Sequence, residues 1–189
     1  MDYSDSHLLE QLRKGDNEAY AILYERYKNK IYNYVWNLLN YDTDGAITVI
    51  SDVFIKLYEY GQSKEIDNFR ALAYKIAHNL SINRMQKYKS ETYIANDEQR
   101  DQLEDTTNEW EKEKINNSFR ADLMKECLTG LNEEQREVIY LYYHDEKSYD
   151  DIAAIIGSNK NTIWTIILRA KKKLKDIATI RWFTDIFIS

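Results

Sequence analysis

The chain has no proline and only five glycines in 189 residues, where average usage would give about nine and about thirteen. Both residues interrupt helices, so their scarcity predicts an all-α protein. One cysteine, Cys127, excludes an internal disulfide, and the three histidines, His7, His78 and His144, stand apart without the spacing of a metal site. No stretch approaches the roughly 18 apolar residues of a membrane span. The amino-terminal MDYSDSHLLEQL lacks a basic-then-apolar leader pattern, so a cytoplasmic location without membrane insertion is expected. A glycine-rich phosphate loop, a nucleophile elbow and a zinc-binding pair are all missing, which makes an enzyme the weakest class, and no cofactor or metal is expected.

What is present is 43% hydrophobic residues, enough to exclude wholesale disorder, and a net charge of −6. The charge is unevenly placed. Residues 1–90 hold 12 basic and 12 acidic side chains, residues 91–130 hold 5 and 11, and residues 131–189 hold 9 and 9. The middle segment, ETYIANDEQRDQLEDTTNEWEKEK, is polar and acidic and reads as a flexible linker over 91–115. It separates an amino-terminal helical domain over 1–90 from a carboxyl-terminal one over 116–189.

The stretch Ser148–Lys175, SYDDIAAIIGSNKNTIWTIILRAKKKLK, has the spacing of a helix-turn-helix. Ser148 is placed to cap a helix that turns Ile152, Ala153, Ile155 and Ile156 inward, with Asp150 and Asp151 in its first turn where the helix dipole favours negative charge. Gly157 ends that helix and Asn159 caps the next. Ile163 then supplies an apolar contact. The first-turn residues of that next helix, Lys160, Asn161, Thr162 and Trp164, are left available to a DNA major groove, ahead of a basic cluster from Arg169 to Lys175. An αα-hairpin with a solvated lysine cluster accounts for the same pattern.

Four helices are expected in the first domain. One covers residues 5–14 with Leu8, Leu9 and Leu12 and closes at Gly15. A second runs from about Asn17 to Asn40 with Tyr24, Tyr27, Ile31, Val35 and Leu38 as one apolar stripe. Ile47, Ile50, Phe54 and Leu57 form the inward face of a third, ending near Gly61. The fourth spans about Asn68 to Lys89 with Leu72, Ile76 and Leu80 inward. Its other face carries Arg70, Lys75, His78, Asn79, Asn83, Arg84 and Lys87 beside Tyr74 and Tyr88. Cations interleaved with aromatics suit a single-stranded or partly melted nucleic acid, and a solvated basic face over core tyrosines is the plainer account.

The order of these features resembles the extracytoplasmic-function (ECF) group of bacterial RNA polymerase sigma factors. The resemblance rests on LLEQLRKGDNEAYAILYERY, DVFIKLYE, YKIAHNLSIN, LNEEQREVIYLYY and SYDDIAAIIG with RAKKKLK, and covers nearly the whole chain. It implies binding to the core polymerase (beta and beta-prime subunits) through Asp52, Val53 and Lys56. It implies minus-ten promoter DNA contacts from Tyr74, Lys75, His78, Asn79, Asn83, Arg84 and Lys87. Lys160, Asn161, Thr162, Trp164, Thr165, Arg169 and Lys172 are the implied minus-thirty-five set, and an anti-sigma factor is an implied partner. Placement in the polymerase's RNA channels is implied for the acidic linker.

Departures from the family pattern set further expectations. GAITVIS, residues 45–51, replaces an acidic run that supplies polar contacts to the core. Leu72 and Ala73 replace a tryptophan-leucine pair, His78 an arginine, and Trp164, Thr165 and Ile166 stand where lysine, serine and arginine are common. Two readings of the last change stand side by side: neutral divergence, and a promoter readout weakened because a DNA-targeting partner, such as an RNA-guided protein, delivers the sigma factor. The apolar tail DIATIRWFTDIFIS is expected to be covered, by the final domain or by a partner. From other classes, a helix-turn-helix transcription regulator and a degenerate sigma serving as an interaction adaptor are the alternatives.

Overall fold

The computed structural model describes residues 3–94 and 130–187. All regular structure among them is helical: α1 (Asp5–Arg13), α2 (Asn17–Leu38), α3 (Thr43–Ser63), α4 (Phe69–Ile94), α5 (Glu133–Ile139) continuing into a π-helical turn (Tyr140–His144), α6 (Tyr149–Ile156) and α7 (Lys160–Phe187). Linker residues 95–129 and Cys127 lie outside the described residues, and α4 reaches four residues past the expected domain boundary at 90.

Side-chain caps set the helix starts. Ser4, Asp16 and Asp42 accept hydrogen bonds from the first-turn amides of α1, α2 and α3. At Gly45 the cap leaves no room for a side chain. A Cβ there would fall 2.1 Å from Asp42 Oδ2 and 2.7 Å from Arg84 Nε. Gly15, at φ +93°, lets the chain turn from α1 into α2.

The buried stripes differ from the expected ones by part of a turn. In α2 Leu23 is buried and Tyr24 faces solvent; in α3 the interior row is Ala46, Val49, Val53, Phe54 and Leu57, while Ile47 is exposed and Ile50 half-buried. In α4 the fully buried row is Phe69, Ala73, Tyr74, Ala77 and Ser81, with Leu72, Ile76 and Leu80 only half-buried. The shifts in α3 and α4 share a cause: Ala46, Ala73, Ala77 and Ser81 occupy the close helix contacts, where large side chains would hold the axes apart. The larger residues beside them are then pushed to the flanks.

The two helical units share one apolar core. Val138, Leu141, Ile152, Ala153, Ile155, Ile163, Ile166 and Ile167 of the carboxyl-terminal unit are continuous with the core of α1–α4. A smaller cluster of Leu131, Ile139, Ala170 and Leu174 ties α5 to α7. α7 runs without interruption through the sequence of the apolar tail to Phe187. The expectation that the tail side chains are covered falls outside the described ones. Among the described residues no helix is long and apolar enough to cross a membrane.

Candidate nucleic-acid interface

The helix-turn-helix is built as its sequence specifies. Ser148 and Asp151 form a reciprocal capping box at the start of α6, and Gly157 ends it in the left-handed conformation at φ +74°. The Asn159 side chain accepts from the Thr162 amide at 2.9 Å, starting α7. Ile152 and Ile163 are buried between the two helices. This leaves Lys160, Asn161, Trp164, Arg169 and Lys172 exposed, with Thr162 and Thr165 half-buried. Lys160 is held by Asp150 at 2.7 Å and Thr165 Oγ1 donates back to the Asn161 carbonyl. Trp164 is 53% exposed, and Leu168, which the sequence reading passed over, is 52% exposed one turn further on. Ile166 belongs to the core, and of the three divergent positions only Trp164 lies fully on the outer face.

On α4 the candidate side chains divide. Asn79, Asn83 and Lys87 are exposed, and Arg84 lies half-buried with Nη2 3.7 Å from Asp42 Oδ2. Tyr74 corrects the sequence reading. It is wholly buried and donates to Asp145 Oδ2 at 2.7 Å, with Lys147 Nζ 4.0 Å from its ring centroid. Burial first, then the Asp145 carboxylate, raises the Tyr74 phenol well above its ordinary range. Lys75 Nζ donates to the Ala154 carbonyl at 2.8 Å, and His78 Nδ1 lies 2.7 Å from Glu137 Oε1. The carboxyl-terminal partners Glu137 and Asp145 carry no motif of their own. The one sequence signal for Glu137 is its position four residues before Leu141, on the apolar face of α5.

The third surface is a groove of about 490 Å³ between α2 and α3, lined by Tyr20, Tyr24, Ile50, Phe54, Ile55 and Tyr58. The Tyr20 hydroxyl donates to the Phe54 carbonyl and fixes the floor. Asp52 and Lys56 stand exposed on the same helix, and Ile55 is 57% exposed. Val53 again differs from the expectation: with no exposed surface it is core, and cannot touch a partner. No group of histidine, cysteine or carboxylate side chains among the described residues could hold a metal ion.

Comparison with known proteins finds similar chains over most of this length. The family described as Sigma-70, region 4 matches residues 121–174, which include the helix-turn-helix. The ECF RNA polymerase sigma factor SigW of Bacillus subtilis is 27% identical over 88% of this chain and 92% of its own length. The ECF RNA polymerase sigma-E factor of Escherichia coli is 26% identical over 90% of this chain and 92% of its own. Among solved structures, the sigma factor RpoE of Bartonella quintana, in complex with the anti-sigma factor NepR, superposes with a TM-score of 0.69 at 22% identity, covering 85% of this chain and 96% of that one. CnrH, in complex with the cytosolic domain of CnrY, gives 0.66 at 20% identity, over 93% and 97%. Motifs, fold and similarity over most of its length agree in making the chain similar to the extracytoplasmic-function sigma factors.

Proposed function

We propose that this protein directs core RNA polymerase to promoters as a sigma factor working in the cytoplasm, with chemistry left to the polymerase. The observation that carries the reading is the helix-turn-helix, whose caps at Ser148, Gly157 and Asn159 set α7 with Asn161, Trp164, Leu168, Arg169 and Lys172 exposed on its outer face. The groove between α2 and α3, flanked by Asp52 and Lys56, is the proposed seat of the polymerase core. Its exposed apolar lining suits a stable protein contact. Asn79, Asn83, Arg84 and Lys87, with Lys75 and His78, offer donors and positive charge to the melted minus-ten strand.

On α7, Lys160, Asn161, Arg169 and Lys172 position the duplex by its phosphates, while Trp164 and Leu168 present apolar surface of the kind that meets thymine methyl groups. An anti-sigma factor belongs to the proposed partner set, since the Bartonella protein of the same fold is bound by one. The exposed Trp164 and Leu168 also favour a second reading, in which a DNA-targeting protein grips this face and supplies part of the site selection.

Transcription in vitro with purified core polymerase and a pool of randomised promoters tests both. Starts at a shared two-element motif support autonomous promoter recognition. Starts that share only a minus-ten feature support the targeted form, and absence of core binding removes the sigma reading altogether.

A further inference from the structure

Charge is divided along this chain so that one stretch mirrors another. Residues 160–175 of α7 hold six basic side chains and no acidic one, while residues 97–113 hold eight acidic side chains and two basic ones, Arg100 and Lys112. Segment 97–113 lies outside the described residues. On α7, Lys160 is paired with Asp150, and Lys171 lies over the rings of Tyr142 and Tyr143. Arg169, Lys172 and Lys173 are exposed and form no ion pair with a described residue. Trp164 and Leu168 are also exposed, one turn apart on a face that continues to Lys171. Large apolar side chains in water beside a row of cations suit an acidic occupant with apolar anchors. Segment 97–113 has that composition. Its large apolar residues are Leu103, followed by Glu104 and Asp105, and Trp110, between Glu109 and Glu111.

The path of the chain favours the same pairing. Leu131, where the described chain resumes, packs with Ala170 and Leu174 of α7. Residue 113 is 18 positions before that anchor, a length of chain that spans at most about 60 Å. Residues 160–175 cover only about 24 Å of helix. A tether of that length presents the segment to the cations at an effective concentration on the order of millimolar.

We propose that acidic segment 97–113 docks on the outer face of α7 in the free protein, with Trp110 against Trp164 and Leu168 and its carboxylates against Arg169, Lys172 and Lys173, and that duplex DNA displaces it. Carboxylates spaced along a chain present a negative field of the same kind as a row of phosphates. The segment therefore holds the free protein back from DNA at large, and whatever takes the segment up uncovers the face. The competition rests on the reading of α7 as a duplex-binding face; the docking does not.

The test uses the full chain and two readouts. A zero-length carbodiimide cross-linker joins carboxylates to lysine amines in contact, and mass spectrometry of the digest maps the joined pairs. Affinity for a fluorescent pool of randomised duplex oligonucleotides is measured over a range of salt concentrations. The proteins are the parent, the quadruple variant Glu104→Gln, Asp105→Asn, Glu109→Gln, Glu111→Gln, and Trp110→Ala, with circular dichroism to show that each keeps the parent's helix content. In the parent, carboxylates of 97–113 should join Lys172 and Lys173 within one molecule, and excess duplex should suppress those links. The quadruple variant should bind duplex about tenfold more tightly at low salt, as when a binding-competent state grows from about a tenth of the molecules to most of them. That difference should shrink as salt screens the pairs, whereas the gain in Trp110→Ala should persist. Three results overturn the proposal: links spread equally to Lys56 and Lys64, which are exposed on and after α3; links between isotopically distinct molecules, which assign the segment to a second copy; or variants that bind duplex no more tightly than the parent. If the links to α7 form and no variant binds duplex at all, docking stands and the duplex-binding reading of α7 falls.

Discussion

Tyr34 of α2 donates its hydroxyl hydrogen bond to Glu137 of α5, 103 positions later in the chain, at a site where both side chains are buried. Burial and the adjacent carboxylate push the Tyr34 phenol far above its ordinary range, so it remains a donor at any physiological pH. Tyr34→Phe leaves the Glu137 carboxylate with one donor fewer in a water-excluded site. The expected loss is about 2 kcal/mol of stability, in the range of buried hydrogen bonds to charged groups. A urea midpoint equal to the parent's would show that the pair carries no net stability.

Gly157 holds the turn of the helix-turn-helix at φ +74°, where a side chain is strained. Gly157→Ala should cost about 1 kcal/mol and tilt α7 against α6. Footprinting of the polymerase complex should lose upstream protection first. Unchanged upstream protection would mean that the turn tolerates the strain.

On the outer face of α7, Trp164 and Lys172 should separate by salt. Lys172→Ala should weaken duplex binding across all sequences and lower the slope of log affinity against log salt by about 0.9, one phosphate contact. Trp164→Ala should leave that slope unchanged and relax sequence preference instead. Titrations of the holoenzyme over a range of salt concentrations decide it, and a slope change in Trp164→Ala would be incompatible with an apolar role.

Ile55, exposed beside the α2–α3 groove, is the position at which to interrupt polymerase binding without disturbing the core. Ile55→Asp should lower affinity for core polymerase at least about tenfold, by roughly 1.4 kcal/mol, with the thermal midpoint of the free protein retained. Equal co-elution with polymerase would move the docking surface elsewhere.

Stability should depend on pH with two opposite slopes. Lys147 is buried over the Tyr74 ring, and burial followed by the Arg70 charge brings its pKa from 10.5 down to about 8. Between those values the unfolded chain binds the extra proton, so this group makes the fold more stable as pH rises. Tyr27 runs the other way. Burial and its hydrogen bond to Asp5 raise its pKa to about 12, so its contribution is complete below pH 10 and is lost between 10 and 12. The urea midpoint of the wild type should rise between pH 8 and 9.5 and fall above 10, and Lys147→Met should abolish the rise. A steady decline from pH 8 would contradict the assignment.

The local chemistry of this fold was legible residue by residue, because a cap needs only its own next three positions. Ser148, Gly157 and Asn159 sit where their side chains and backbone freedom require. Interior registers were less legible. Periodicity favours large residues such as Ile47 and Leu72, whereas the tightest contacts went to Ala46, Ala73, Ala77 and Ser81, whose small size matters only once a second helix is in place. Tyr74 and Val53 carry motif positions and are nonetheless buried, and Glu137 and Asp145 acquire their importance from partners 59 to 103 residues away. Such pairings have no local signature in the sequence.

The unbroken course of α7 has a mechanical consequence. A helix of 28 residues from Lys160 to Phe187 is about 42 Å long, at about 1.5 Å per residue. Trp164 rides near one end of this rod and the aromatic, isoleucine-rich segment occupies the other. The near half is seated in the core through Ile163, Ile166, Ile167 and Ala170, so a force applied near Phe187 acts on it as on one lever. On the proposed reading, a partner that grips the last turns of α7 would therefore also bear on the face that carries Trp164.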